Sequence, residues 1–153
     1  MAYKHSGYYE DAILHFKSAI SLKPLSAADA HNELGNIYYA KNNFHLALEQ
    51  FKEALKLKPK NYVTYTNIGF IYMQKGDLDN AIKNFKLALS INPDLIRAHT
   101  SLGLALYYKG MYDEAKREYN RALNLMPAQN KISDPSFLQL QELLLPLQNA
   151  GAK

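Results

Sequence analysis

The chain has 153 residues, with 18 Lys and Arg against 14 Asp and Glu for a formal charge of +4, and it has 12 tyrosines but no cysteine or tryptophan. The absence of cysteine excludes disulfides, thiolate metal sites and cysteine nucleophiles, and so small a net charge gives no independent support for nucleic-acid binding. With 48% hydrophobic residues the chain can bury a core, yet apolar runs such as Leu143-Leu144-Leu145 fall far short of the ~20 residues that span a bilayer.

In chain order, Met1-Ala2-Tyr3-Lys4-His5 lacks the apolar stretch of a signal peptide, and a cytoplasmic setting is expected. Tyr3 to Ser6 read as the stub of a helix that Gly7 ends. A second helix then carries Ile13, Phe16 and Ile20 at helical spacing and stops at Pro24. The next segment predicts a helix around Leu34-Gly35 and Tyr38, a turn at Asn42, and a helix over Ala47, Phe51 and Ala54 that ends at Pro59. The same order returns in Ile68-Gly69, Tyr72, Gly76, Ala81, Phe85, Ala88 and Pro93. It returns once more in Leu102-Gly103, Leu106, Gly110, Ala115, Tyr119, Ala122 and Pro127. The four prolines are spaced by 35, 34 and 34 residues, the signature of a repeat protein. Ala128 to Asp134 read as a linker, with Asp134 as an N-cap and Pro135 at the first helical position. A helix to Leu145 is then expected, broken by Pro146, with a frayed tail from Gln148.

The columns have physical reasons. Gly35, Gly69 and Gly103 fall inside helices, where glycine costs about 1 kcal/mol relative to alanine, so another helix must pass too close for a side chain. Gly7, Asn42, Gly76 and Gly110 end first helices, where a left-handed conformation is wanted.

These columns resemble the tetratricopeptide (TPR) repeat, a 34-residue helix–turn–helix with small, aromatic and proline positions at fixed offsets. The tryptophan usual near the start of that motif is replaced here by His31, Tyr65 and His99. The resemblance implies an all-α, right-handed helical-repeat solenoid in one continuous domain. It has a partial repeat at 1–26, complete repeats at 28–61, 62–95 and 96–129, and a C-terminal capping helix at 134–147.

It further implies that the first helices line a concave face. The residues expected there are Asn32, Asn36 and Tyr39 from one repeat and Val63, Thr66, Asn67, Phe70 and Met73 from the next. The last repeat contributes Arg97, Thr100, Leu104, Tyr107 and Tyr108. Asparagine amides can hold a peptide backbone through both donor and acceptor, and tyrosines add contact area at low entropic cost. A protein-interaction scaffold binding a peptide segment or partner protein in this groove is therefore expected. Two alternatives remain: the recruiting portion of a larger enzyme, or a co-chaperone-like clamp for C-terminal carboxylates. In the clamp reading Asn36 and Asn67 match two positions and Arg97 stands for a lysine, while Asn32 and Ser101 replace the other cations.

No catalytic chemistry is expected. The histidines show no i,i+4 zinc spacing, no glycine-rich phosphate loop occurs, and the serines lack a nucleophile motif. No cofactor, metal, nucleic acid or membrane insertion is expected. Lysines such as Lys52, Lys56, Lys83 and Lys86 read as a solvated face interrupted by Glu49, Glu53, Asp77 and Asp79. Self-association is expected through the incomplete first repeat, whose face carries Tyr9, Ala12, Ile13 and Phe16.

Overall fold

Three reversals of the same kind set the architecture. Asn42, Gly76 and Gly110 hold φ of 57°, 74° and 81°, the left-handed region that glycine and asparagine tolerate. Each closes the preceding helix with a pair of backbone bonds. The Asn42 amide donates to the Tyr39 carbonyl at 2.9 Å and the Asn43 amide to Tyr38 at 2.8 Å. Gly76 and Asp77 donate in the same way to Met73 and Tyr72, and Gly110 and Met111 to Tyr107 and Leu106. This is the Schellman closure. The next helix starts at once, with the side chains of Asn43 and Asp77 accepting from the amides of Leu46 and Asn80 at 3.3 and 3.1 Å.

The computed structural model describes residues 3–22, 27–127 and 135–150. Among these residues there are eight helices and no strand: α1 (Tyr3–Leu22), α2 (Ala27–Ala40), α3 (Phe44–Leu57), α4 (Tyr62–Gln74), α5 (Leu78–Ile91), α6 (Ile96–Tyr108), α7 (Tyr112–Leu125) and α8 (Pro135–Ala150). The fold is an all-α helical repeat. Helices α2 and α3, α4 and α5, and α6 and α7 pair as hairpins, and each second helix also packs on the first helix that follows it. The first helices α2, α4 and α6 lie side by side as one layer.

The mid-helix glycines mark the closest approaches. A Cβ built on Gly35 would stand 2.5 Å from Phe51 Cε1, and one on Gly69 would stand 2.5 Å from Phe85 Cε1. Both rings are fully buried. In the last repeat the partner comes from elsewhere: a Cβ on Gly103 would lie 2.5 Å from Leu140 Cδ2 of α8. Tyr119, which holds the register of Phe51 and Phe85, instead stacks on Phe137 at 4.8 Å and 18°. Phe137, Leu140 and Leu144 are buried, while Leu145 is exposed. Helix α8 thus covers α6 and α7 with one apolar stripe.

Two expected helix breaks do not occur. Helix α1 runs straight through Gly7, because one glycine costs a helix interior only about 1 kcal/mol, too little by itself to force a reversal. Helix α8 passes through Pro146 to Ala150. Proline removes the bond to the carbonyl of Glu142, but both residues are exposed and water can take that carbonyl. Pro24, the Ala128 to Asp134 linker with its Asp134 cap, and the tail beyond Ala150 lie outside the described residues. Ile13 is buried, and Tyr9, Ala12 and Phe16 are half-buried, with α1 packed against α2. Among the described side chains of α1, Tyr8 and Leu14 are exposed apolar residues.

Ion pairs join the turns to neighbouring helices. Lys41 pairs with Glu10 of α1, Lys109 with Asp79 of α5, and Lys58 with Asp29 at 2.8 Å. All are solvent-accessible, so each contributes only about 0–1 kcal/mol. The buried rings decide stability. Gly69→Ala drives a methyl group into Phe85; overpacking of about 1–3 kcal/mol outweighs the roughly 1 kcal/mol gain in helix propensity, and urea denaturation should report a lower midpoint. Phe137→Ala should cost about 3–5 kcal/mol in the same measurement, and a change below 1 kcal/mol would show that α8 covers nothing.

Candidate peptide-binding groove

The layer of first helices encloses a cavity of about 330 Å³ lined by Asn36 and Tyr39 of α2, Val63, Asn67 and Phe70 of α4, and Arg97 of α6. Six of the thirteen expected groove residues therefore converge on one place. Asn67 Nδ2 donates to Asn36 Oδ1 at 2.9 Å, and Asn36 Nδ2 points to Glu33 Oε2 at 3.4 Å. That pairing leaves the Asn67 carbonyl oxygen and its second N–H available to a ligand. The Arg97 guanidinium sits 4.5 Å above the Phe70 ring, in cation–π geometry. Phe70 in turn meets the buried Phe85 edge-on at 5.4 Å. Among the described residues Arg97 forms no ion pair, so a cation held by an aromatic face stands beside two amides.

Four expected groove residues are withdrawn from the surface. Thr100 is 0% exposed, and Thr66, Leu104 and Asn32 are buried with it. Their polarity is satisfied internally. Thr66 donates to the Tyr62 carbonyl at 2.8 Å, Thr100 to the Arg97 carbonyl at 3.0 Å, and Asn32 accepts from Thr64 Oγ1 at 2.8 Å. Short hydroxyl side chains bonded to their own helix leave no protruding atom, so neighbouring helices close over them. Met73 and Tyr107 are half-buried against the core. Tyr108 is 50% exposed, and its hydroxyl accepts from Gln139 Nε2 of α8 at 2.8 Å. Tyr107 meets Tyr108 and Tyr112 edge-on at 6.0 and 5.2 Å, forming a tyrosine cluster at the α8 end of α6.

The position usually held by tryptophan carries a charge pair that residue types alone did not announce. His99 Nδ1 lies 2.6 Å from Glu118 Oε2, and Nε2 lies 2.8 Å from the Pro93 carbonyl oxygen. Both partners are acceptors, so a ring that donates to both must be the imidazolium. Burial opposes the charge, but the bonds to Glu118 and Pro93 outweigh it and raise the pKa above the ordinary 6.5. The signal in the sequence is a 19-residue separation: His31 Nδ1 meets Gln50 Oε1 at 2.8 Å over the same interval, with a neutral partner in place of the carboxylate. A histidine whose folded-state pKa is raised contributes its stability in full below the unfolded value and loses it as pH climbs through the folded one. The melting temperature should therefore fall as pH rises above 6.5, and His99→Gln should flatten that decline. An unchanged slope in the variant would assign it to other groups.

Among the described residues no group of three or more His, Cys, Asp or Glu side chains is placed to hold a metal ion, and no helix is long and apolar enough to cross a membrane.

Comparison with known proteins agrees with this fold. A family model for the TPR repeat matches residues 35–76 and 69–110, and a second, for the tetratricopeptide repeat, matches 96–129. A crystal structure of MamA is 31% identical, covering 80% of this chain and 71% of that one, with a TM-score of 0.71. The first TPR of Spaghetti (RPAP3), bound to the HSP90 peptide SRMEEVD, is 24% identical over 79% of this chain and 93% of its own, with a TM-score of 0.70. The Sgt2 TPR domain from Aspergillus fumigatus is 21% identical over 82% of each chain, with a TM-score of 0.71. At these two lower identities the likeness is one of fold. Among curated proteins no sequence matches this chain. Two family models that together run from residue 35 to 129, and a relative of matching fold at 31% identity, make the chain a member of the tetratricopeptide repeat family.

Proposed function

We propose that the chain is a non-enzymatic interaction scaffold that holds an extended peptide segment of a partner protein across α2, α4 and α6. The observation that carries this reading is the cluster of Asn36, Asn67, Phe70 and Arg97 around one open cavity. The amides offer a donor and an acceptor to a peptide group, and Phe70, Tyr39 and Val63 offer apolar contact beside them. The peptide bound to the Spaghetti TPR domain supports the use of this fold for such a ligand. A narrower reading places a carboxylate of the segment on Arg97, which forms no ion pair among the described residues. One guanidinium in place of several cations makes that contact a contribution to affinity rather than its source.

A neutral hydrogen bond nets about 0.5–1.5 kcal/mol and one to a charged group about 1.5–3 kcal/mol, so a few of each with apolar contact support affinity near micromolar, about −8 kcal/mol. Partners retained by the immobilised chain, once identified, can be titrated by calorimetry. Asn67→Ala should weaken binding several-fold and Arg97→Ala about tenfold or more, with helicity unchanged by circular dichroism. Full affinity in the double variant would move the site elsewhere.

A further inference from the structure

The first helices of the complete repeats end at equivalent lysines, Lys41, Lys75 and Lys109. Two of them close onto a carboxylate of the preceding second helix, Lys41 onto Glu10 and Lys109 onto Asp79. Counting by the repeat interval puts His45 of α3 at the register of Glu10 and Asp79. The register opposite Lys75 therefore holds an imidazole where its counterparts hold an acid, and one rung of the series is missing. At that junction a cavity of about 370 Å³ opens, lined by His45, Leu48, Glu49, Lys52 and Lys75. Leu48 is half-buried and the other four are exposed. Glu49 is the acid that borders the cavity, yet among the described residues neither it nor Lys52 or Lys75 forms an ion pair. Two ammonium groups against one carboxylate leave the lining itself positive, with the Asp77 carboxylate, capped onto Asn80, within electrostatic reach of Lys75 but outside the cavity.

We propose that this junction of α3 and α4 docks a carboxylate side chain from an acidic segment of a partner protein, which supplies from outside the acid that Glu10 and Asp79 supply from within. Charge complementarity names the occupant. The flanking rungs show that one carboxylate satisfies the lysine at this register, and Leu48 adds an apolar contact for the stem of an Asp or Glu side chain. Two lysines against one Glu49 offset a single carboxylate, but they are too few for a nucleic-acid backbone, whose charges recur at every nucleotide. None of these residues lines the concave cavity, so the two sites are separable.

The test uses a tetraglutamate peptide blocked at both ends, which carries no terminal carboxylate, titrated into the isotope-labelled full chain at low salt and followed by amide shifts. The expected shifts centre on His45, Leu48, Lys52 and Lys75. His45→Asp restores the internal acid; it should weaken the peptide at least fivefold and raise the melting temperature. Lys75→Gln should lose the same binding without that gain in stability. Asn67→Ala should bind as the parent does, which keeps this site distinct from the groove. Unchanged binding by His45→Asp, or shifts centred on Lys58 and Lys60 or on Asn67 and Arg97, would overturn the proposal. An oligothymidylate bound at the same residues more tightly than the peptide would overturn it in favour of nucleic acid.

Discussion

In the first two complete repeats a phenyl ring of the second helix occupies the space where the first helix would otherwise carry a side chain. The Phe51 and Phe85 rings come within 2.5 Å of where a Cβ would stand on Gly35 and Gly69, nearer than any real side chain permits. Such proximity brings whole helix backbones together and fixes their separation, which ordinary side-chain packing leaves adjustable by small rotamer changes. The glycines cost helix propensity, and the burial of two large rings more than offsets it. From this contact the groove inherits its geometry. Phe85, seated over Gly69, presents its ring to the edge of Phe70, and Phe70 carries the Arg97 guanidinium on its face. A core contact is thereby linked through two rings to the cation beside Asn36 and Asn67.

The last repeat solves the same problem with a residue from outside it. Leu140 of α8 stands over Gly103, and Tyr119 turns to stack on Phe137. Helix α8 is therefore built into the final repeat, and the bond from Gln139 to Tyr108 ties it to the end of α6 as well. A solenoid needs its terminal apolar surface covered, and here the cover also steadies one end of the tyrosine cluster. The surface ion pairs have a lesser share in stability, but among the described residues Lys75 lacks the pair that its equivalents Lys41 and Lys109 form.

Much of this was legible in residue columns. Asn42, Gly76 and Gly110 announced the reversals because few other residues tolerate φ near 57–81°. Gly35 and Gly69 announced the close approaches because glycine has no other reason to sit in a helix. Six of the residues that the repeat register places on the first helices line one cavity. Thr66, Thr100, Leu104 and Asn32 are buried where exposure is expected, because register gives a direction and not a depth; the two threonine hydroxyls bond back to their own helix and let neighbours close over them. Gly7 and Pro146 do not break their helices, because the propensity of one residue is weak by itself and because water can serve the carbonyl that proline frees. The His99–Glu118 pair lay hidden because two residues 19 apart on different helices are neighbours only after the hairpin forms.

The contact between Gly69 and Phe85 is tested most directly by a double-mutant cycle combining Gly69→Ala with Phe85→Leu, with unfolding free energies measured in urea. If the phenyl ring is what excludes a side chain at residue 69, shrinking it removes part of the penalty of the added methyl. The double variant should be more stable than the sum of the single losses by about 1 kcal/mol or more, within the usual range for contacting residues. Losses that add within about 0.3–0.5 kcal/mol, as for distant sites, would contradict the claim that this close approach organises the fold.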